Sequence, residues 1–319
     1  MKIMQNTAIV RRAVSFAASA LAFVLVIALG QPASAAQSTF KTPADVFTAL
    51  VAGARSDDTR ALLAILGPEG DSLVVSGDPV ADKEALKRFV TAYDEFHRIE
   101  FQDAMQQAVL VVGNEEWPMP IPAVLQKGAW HLDSAAGLDE ILNRRIGRNE
   151  LSVIEVCQAY VNAQRQFASI DRDNNRYIEY AQKFQSSPGK HDGLYWPTAE
   201  GEEESPLGPL VADAQSHGYT VNGQKEGPSP YYGYFYRILY GQGPHAAGGA
   251  YDYIVNGHMV GGFALIAYPA QYDVTGIMTF IVNQDGVIYQ KDFGPKTASI
   301  AAAVKLFDPG TGWAKQQAN

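Results

Sequence analysis

The chain has 319 residues, of which 47% are hydrophobic, 11% aromatic and 18% charged, and its formal net charge is −9. This composition is too apolar and too aromatic for a disordered protein, and a single cysteine excludes a small disulfide-stapled scaffold. The acidic balance argues against nucleic acid as a partner, because binding to phosphates requires a basic face.

The first 36 residues have the pattern of a secretory signal peptide. Three basic residues come before or at the start of an apolar run over residues 13–29, and the Ala-Ser-Ala tripeptide at residues 33–35 supplies a cleavage site. We expect a periplasmic or secreted protein with no stable membrane span after cleavage. An uncleaved anchor is the alternative, because the apolar run is close to the shortest length that spans a bilayer.

Residues 37–146 are predicted to form an N-terminal α+β domain. Thr42 and Pro43 are typical of a helix start, and Gly67 ends a second helix. A third, amphipathic helix is predicted over residues 82–97. The pattern then changes to short β-rich runs at residues 108–112, 117–124 and 128–132. Helices followed by a small antiparallel sheet give this domain its α+β class.

Residues 147–319 are predicted to form a second domain that begins with a long helix. A helical stretch over residues 138–145 leads into it, a kink is expected at Gly147-Arg148, and Asn149 is expected to cap a new start. From residue 150 to residue 169 the apolar side chains then stay on one helix face.

An antiparallel sheet is predicted to follow this helix and to pack on it, in a pilin-like arrangement. A strong hairpin pattern, Asn-Gln-Asp-Gly at residues 283–286, joins the last two strands, and a short helix over residues 298–306 comes after them. The predicted strands cover residues 231–240, 250–255, 262–268, 275–282 and 287–292.

Oxygen-bearing side chains alternate after the long helix in the way that a Ca²⁺ loop requires. The predicted ligands are Asp171, Asp173, Asn175 and Glu179. Two positions depart from an EF-hand, since Arg176 replaces the glycine and Gln182 replaces the bidentate glutamate. The alternative is a turn rich in Asp and Asn that ends the helix. Calcium is the one cofactor that the sequence raises.

A tyrosine-rich stretch is the predicted ligand-binding surface. Alternate residues of a half-buried strand face solvent, so we expect some of these rings to be exposed, and exposed aromatic rings favour contact with a glycan or a protein. The alternative is that the rings form cross-strand pairs that stabilise the sheet. The residues assigned to ligand binding are Tyr234, Tyr236, Tyr251 and Tyr253.

The remaining motifs carry little chemistry. The six histidines lack the local spacing of a zinc site, and Cys157 is predicted to be a buried, inert thiol on the apolar helix face. The Ser187–Lys190 spacing of penicillin-interacting enzymes is interrupted by Pro and Gly, and the glycines at 241–243 do not precede a helix. A hydrolase remains open only if polar side chains converge in the fold, among them His217, His258, Asp252 and Lys291.

Several long motifs resemble an exported bacterial family known as domain of unknown function 2950. They are Glu116-Trp117-Pro118, residues 140–150 (EILNRRIGRNE), residues 193–197 (GLYWP) and residues 280–295 (FIVNQDGVIYQKDFGP). The resemblance covers the whole chain after the signal peptide and implies export. It implies no activity.

A second resemblance covers about residues 149–295 and is to the globular heads of type II secretion pseudopilins. It depends on Asn149-Glu150, on Ala163-Gln164 and on the strand and turn over residues 279–287. In those heads a helix packs on an antiparallel sheet. A pilin's assembly helix would run directly into the head, whereas a whole domain intervenes here, so polymerisation is not implied.

The sequence therefore predicts an exported α+β protein that acts by binding an envelope protein or a glycan, without catalysis. The alternatives are a periplasmic hydrolase whose site is assembled only in three dimensions, and a scaffold stabilised by Ca²⁺.

Overall fold

A computed structural model describes residues 37–172, 174–199, 201–219 and 229–316. These residues form helices and antiparallel sheets joined by loops, so the predicted α+β class is confirmed. The predicted signal peptide lies outside the described residues. Residues 37–146 are called the N-terminal part below, and residues 147–316 the C-terminal part.

The described residues contain seven α-helices, none of which is both long enough and apolar enough to cross a membrane. The helices are α1 (Pro43–Arg55), α2 (Thr59–Leu66), α3 (Asp71–Val74), α4 (Pro79–Glu95), α5 (Ser134–Phe167), α6 (Gly208–Ser216) and α7 (Thr297–Ala303). The strands are β1 (His97–Gln102), β2 (Gln107–Val112), β3 (Trp117–Pro118), β4 (Ala123–Gln126), β5 (Ala129–Leu132), β6 (Tyr234–Leu239), β7 (Gly241–Gln242), β8 (Tyr251–Asp252), β9 (Ile254–Val255), β10 (His258–Met259), β11 (Ala264–Pro269), β12 (Met278–Asn283), β13 (Tyr289–Asp292) and β14 (Ala314–Lys315).

Local signals start and end the first two helices where the sequence predicts. The Thr42 hydroxyl accepts a hydrogen bond from the Asp45 amide (3.1 Å), and the Asp45 carboxylate accepts one from the Thr42 amide (3.2 Å). This capping box precedes Pro43, whose fixed φ suits the first helical position. Asp58 caps α2, which ends at Gly67 with a φ of +79° that favours glycine.

The N-terminal part packs its helices on a small antiparallel sheet. The sheet has the order β1-β2-β4-β5, and β3 pairs with β2. Helix α1 contacts β4 and β5, whereas α4 contacts β1 and β2. Because apolar residues recur on the inner faces of these elements, they form one core. Its most buried members include Val46, Phe47, Leu62, Leu110, Ala123 and Leu132.

Helix α5 is one continuous helix of 34 residues, so the expected new helix start at Asn149 is wrong. Asn149 and its neighbour Glu150 make long-range contacts instead. Asn149 Nδ2 donates to the Thr275 carbonyl (2.9 Å), and the Glu150 carboxylate accepts from two consecutive backbone amides at the start of β12, both at 2.9 Å. The predicted domain boundary falls inside α5, and the division into two domains stays a prediction.

The C-terminal part is built on a second antiparallel sheet, with the order β14-β13-β12-β11-β6. Helix α5 packs on β11 and β12, and α7 packs on β11. The predicted hairpin is confirmed, because the Gly286 amide donates to the Asn283 carbonyl (2.9 Å) and β12 pairs with β13. The core contains large, fully buried side chains, among them Tyr160, Tyr234, Tyr253, Phe263 and Phe280.

A buried carboxylate connects the two parts. Asp78 is 1% exposed and caps α4 by accepting from the Ala81 amide (3.1 Å). Its second oxygen accepts from the Tyr219 hydroxyl (2.9 Å) and from the Gly233 amide (2.8 Å). This cap also explains why α4 begins three residues earlier than predicted.

Candidate functional site

A cleft of about 640 Å³ lies beside the end of α5, in the segment that contains the predicted calcium loop. Its walls come from Phe167, from the loop up to Glu179, from residues 180–183 and from residues 190–192. The volume is in the range of small-molecule sites. Acidic, basic and aromatic side chains all line it, and we call it the polar cleft.

The loop at its mouth is held by its own side chains. The two Asp171 carboxylate oxygens accept from the amides of Asn175 (3.2 Å) and Arg176 (2.9 Å), and Asn175 Oδ1 accepts from the Tyr177 amide (2.7 Å). These are the bonds of a turn rich in Asp and Asn. Asp173, also a predicted calcium ligand, lies outside the described residues.

Glu179, the fourth predicted calcium ligand, faces an imidazole instead. Its Oε1 lies 2.9 Å from His258 Nδ1 and also accepts from Asn175 Nδ2. Within the described ranges, no group of three or more His, Cys, Asp or Glu side chains is placed to hold a metal ion. Calcium binding stays a prediction.

One buried amide aligns the next wall of the cleft. Gln164, on α5, is fully buried, and its Oε1 accepts from the Ala181 amide while its Nε2 donates to the Ala181 carbonyl, both at 2.8 Å. Through these two hydrogen bonds the Gln164 side-chain amide pairs with the Ala181 backbone as a residue of a neighbouring strand would. The bonds hold residues 180–183 against α5. The Tyr180 amide adds a bond to the Met259 carbonyl in β10 (2.8 Å).

Arg172, in the wall of the cleft, lies between two aromatic rings. The Arg172 guanidinium lies 4.9 Å from the Phe167 ring centroid and 5.0 Å from that of Trp196, and it bonds both oxygens of Glu203 (2.8 and 2.9 Å). Cation–π contacts of this kind are strongest where water is excluded. The His191 ring, in the cleft wall, stacks on the buried ring of Trp196, with 4.1 Å between centroids.

A lysine–aspartate pair lies at the other end of the cleft. Lys183 Nζ donates to Asp192 Oδ2 (2.8 Å) and to the Ser187 hydroxyl (2.7 Å). Burial alone would raise the pKa of Asp192, but the hydrogen bonds from Lys183 and Ser187 outweigh it and lower that pKa to about 2. Lys190 also lines the cleft, and its ammonium makes no ion pair with any described residue.

The predicted ligand-binding tyrosines do not form one surface. Tyr234 and Tyr253 are fully buried, so among these four residues the expectation that some rings face solvent holds only for Tyr251. Tyr234 points between α5 and the sheet, where its hydroxyl donates to the Met278 carbonyl (3.0 Å). Tyr236 is partly buried, and Tyr251 is 38% exposed and packs edge-on against Tyr253. Ligand binding by Tyr236 and Tyr251 stays a prediction.

The exposed tyrosine at the polar cleft is a different one. The Tyr177 ring is 56% exposed and lies 5.4 Å from the His258 ring, centroid to centroid. The sequence analysis does not assign the Tyr177 side chain to ligand binding. It also gives no site role to Gln164, Arg172 and Trp196, although Gln164 and Trp196 lie in the motifs on which the two resemblances depend.

The four polar residues considered for a hydrolase lie in separate local contacts. His217 faces Asp213 (3.7 Å), His258 faces Glu179, and Lys291 donates to the Thr311 carbonyl (2.9 Å). Asp252 lies on the exposed strand β8. No hydrogen bond or ion pair between described residues joins any two of the four. Cys157 is buried as predicted, and burial raises the pKa of its thiol to about 12.

Fold and cleft together define an α+β protein with a preformed, ligand-sized cleft in its C-terminal part. The chain belongs to the family described as "Protein of unknown function (DUF2950)", which matches residues 37–316. Searches of curated proteins and of solved structures returned no significant match. The likeness to pseudopilin heads stays a prediction.

Proposed function

We propose that this protein is an exported, non-catalytic binding protein of the bacterial envelope and that its polar cleft binds a saccharide. Export is supported by the signal-peptide pattern of residues 1–36. The observation that carries the saccharide proposal is the exposed ring of Tyr177 beside the imidazole of His258. An amphipathic ring with one apolar face in water is suited to packing against the apolar face of a sugar ring.

The polar groups of the cleft support this proposal because they are already oriented. Glu179 faces His258, Asp192 is held by Lys183, and Arg172 is held by Glu203. Binding to such groups costs little conformational entropy, because their side chains are already ordered. Sugar hydroxyls both donate and accept, so they match a surface in which carboxylate, ammonium and amide groups alternate.

The concave shape favours a saccharide over a protein partner. A volume of about 640 Å³ accommodates a small molecule or a short oligosaccharide. A protein partner generally requires roughly 800 Å² of buried surface on each side. Lys190 adds a preference for a saccharide that carries a carboxylate, because its ammonium makes no ion pair within the part of the chain that the structure describes.

The second candidate function is a hydrolase, and the Glu179–His258 pair favours it. A carboxylate that orients an imidazole is the arrangement of a general base. This candidate predicts that the bound saccharide is cleaved and that His258→Asn abolishes the cleavage. A binding protein instead leaves the saccharide intact.

The deciding experiment measures binding to isolated peptidoglycan and to soluble oligosaccharides, some neutral and some carrying carboxylates. Tyr177→Ala is compared with Tyr251→Ala, a matched removal of one exposed ring outside the cleft. We expect Tyr177→Ala to weaken binding about tenfold and Tyr251→Ala to leave it unchanged. Lys190→Ala should affect only the acidic saccharides.

Thermal unfolding of each variant checks that the fold is retained. The opposite ranking of the two tyrosine variants would place the site on the tyrosine-rich strands, as the sequence predicts. Wild-type protein that binds none of the saccharides would contradict the proposal, and release of shorter products would favour the hydrolase.

A further inference from the structure

The N-terminal part contains a second cavity, separate from the polar cleft. Its volume is also about 640 Å³, and it lies between α1–α4, strands β2 and β3, and the first half of α5. Its walls are mainly aliphatic and aromatic, and they include Leu62, Leu86, Phe89, Val112, Met119 and Ile141. We call it the apolar cavity.

Helix α4 borders this space where its apolar side chains would otherwise pack against the core. Its apolar face carries Leu86, Phe89, Val90 and Tyr93, yet none of its residues is fully buried. An amphipathic helix of this length normally buries its apolar stripe against its neighbours. Here the stripe covers the cavity, so Leu86 and Phe89 are left with unfilled space on one side. An apolar molecule that fills this space would remove its aliphatic and aromatic walls from water.

Cations gather at one side of the apolar cavity, although the chain as a whole is acidic. Arg88, Arg144, Arg145 and Arg148 line it, and Glu115 is the one carboxylate in its wall among the described residues. Arg144 is paired with Glu140 outside the cavity (2.6 Å). Arg145 donates to the carbonyls of Ser72 and Leu73, each at 2.6 Å. These two cations therefore already have partners.

Arg88 and Arg148 differ from their neighbours. In the part of the chain that the structure describes, neither guanidinium has a hydrogen bond or an ion pair. Both side chains are exposed to solvent at the edge of the space. Partial desolvation lowers the pKa of Arg148 below its ordinary value, and the positive charges of Arg88 and Arg144 lower it further. The same two arginines also line a neighbouring crevice of about 290 Å³, whose wall contains Glu84 as well. Glu84 lies 3.5 Å from Lys87.

A buried donor in the cavity wall also lacks a partner. Trp117 Nε1 is shielded from water and has no acceptor among the described residues, and the Arg144 guanidinium lies 5.5 Å from the Trp117 ring centroid. A buried N–H without an acceptor is costly. A bound molecule with an oxygen near its charged end would supply one.

From these observations we infer that the apolar cavity binds a single-chain anionic amphiphile, of the class of long-chain carboxylates. The hydrocarbon chain lies between α4 and the sheet, and the anionic head lies between Arg88 and Arg148. Chemistry selects this class. The cavity offers an apolar volume and two guanidiniums that have no ion pair among the described residues, and guanidinium pairs with carboxylate through two hydrogen bonds. The head group can belong to a free fatty acid or to a membrane lipid, and the test separates the two.

The test titrates the full chain with oleate below its micelle concentration, with oleyl alcohol, and with vesicles that contain an anionic phospholipid. We expect saturable binding of oleate and at least tenfold weaker binding of the alcohol. The double variant Arg88→Ala/Arg148→Ala should lose at least tenfold in affinity for oleate and nothing for the alcohol. A matched control, Lys83→Ala/Lys87→Ala, removes two exposed charges from the same helix and should bind oleate like the wild type.

A filling variant, Ala85→Phe, tests the tail position independently of charge. Unfolding midpoints without ligand check that each variant folds, and oleate should raise the midpoint of the wild type but not that of Ala85→Phe. Absence of saturable oleate binding, or equal loss in the arginine pair and the lysine pair, would overturn the inference. Binding to vesicles alone would also overturn it. Saccharide binding at the polar cleft should be the same in every variant.

Discussion

The two parts of this chain use apolar residues in different ways. The C-terminal part fills its interior with large, fully buried side chains and keeps its ligand-sized space on the surface, beside α5. The N-terminal part also has a space that opens to solvent, but its walls are mainly apolar and one of them is a helix that has no fully buried residue. A close-packed interior specifies one structure, whereas an incompletely filled apolar groove has room for a guest.

The largest expected effect tests this contrast directly with two matched truncations. Phe280→Ala in the packed C-terminal core should cost about 3–5 kcal/mol of unfolding free energy, because it creates a new cavity. Phe89→Ala should cost only about 1–2 kcal/mol, because that ring already borders open space. Urea unfolding monitored by circular dichroism measures both. Equal costs would show that the apolar cavity is collapsed in solution.

The next effect concerns the contact between the parts. Asp78→Ala removes the cap of α4 and leaves the Gly233 amide and the Tyr219 hydroxyl without their acceptor. We expect a loss of about 2–3 kcal/mol, measured by urea unfolding. Asp45→Ala, which removes an exposed contact at the start of α1, is the control and should cost less than about 1 kcal/mol. A loss no larger than that of the control would contradict the assigned role of Asp78.

A smaller effect distinguishes two interpretations of the loop at residues 171–179, which are a turn held by its own side chains and a calcium site. Asp171→Ala removes two acceptors for backbone amides, so it should lower stability by about 1 kcal/mol. The loss should be the same in EGTA and in millimolar Ca²⁺, and the wild-type Tm should not respond to Ca²⁺. A Tm that rises with Ca²⁺ in the wild type and not in the variant would support calcium binding instead.

The smallest effect is the pH dependence of the Lys183–Asp192 pair. The folded protein holds the pKa of Asp192 near 2, below the ordinary value of 3.8, so the pair adds stability above about pH 4. That contribution is lost as the pH falls from 4 to 2. Because both side chains are partly exposed, it should stay below about 1 kcal/mol. Asp192→Asn should therefore be less stable than wild type at pH 6 and equal to it near pH 2; a constant difference would assign the loss to something else.

Burial of the tyrosines shows where the sequence pattern was insufficient. Alternation along β6 correctly implies that neighbouring side chains face opposite sides of the sheet. It does not say that α5 covers one side, which is what buries Tyr234. The contact between Arg172 and Glu203 in the polar cleft was not predicted for the same reason, since 31 positions separate the two residues.

By itself, the sequence determined the features whose partners are close along the chain. The Thr42 capping box spans three residues and the turn at Asn283 spans two or three, so the pattern that makes each bond is visible in a short window. The α+β class follows in the same way, from the period of the apolar residues.

Only the tertiary structure decided the continuity of α5, the two cavities and the groups that line them. Glu150 binds amides 127 and 128 positions away, and Asp78 binds one 155 positions away. The gathering of four arginines around an apolar space likewise depends on how α4 and α5 are placed. Contacts across such separations form only when the whole chain has packed, and no local pattern of residues carries that information.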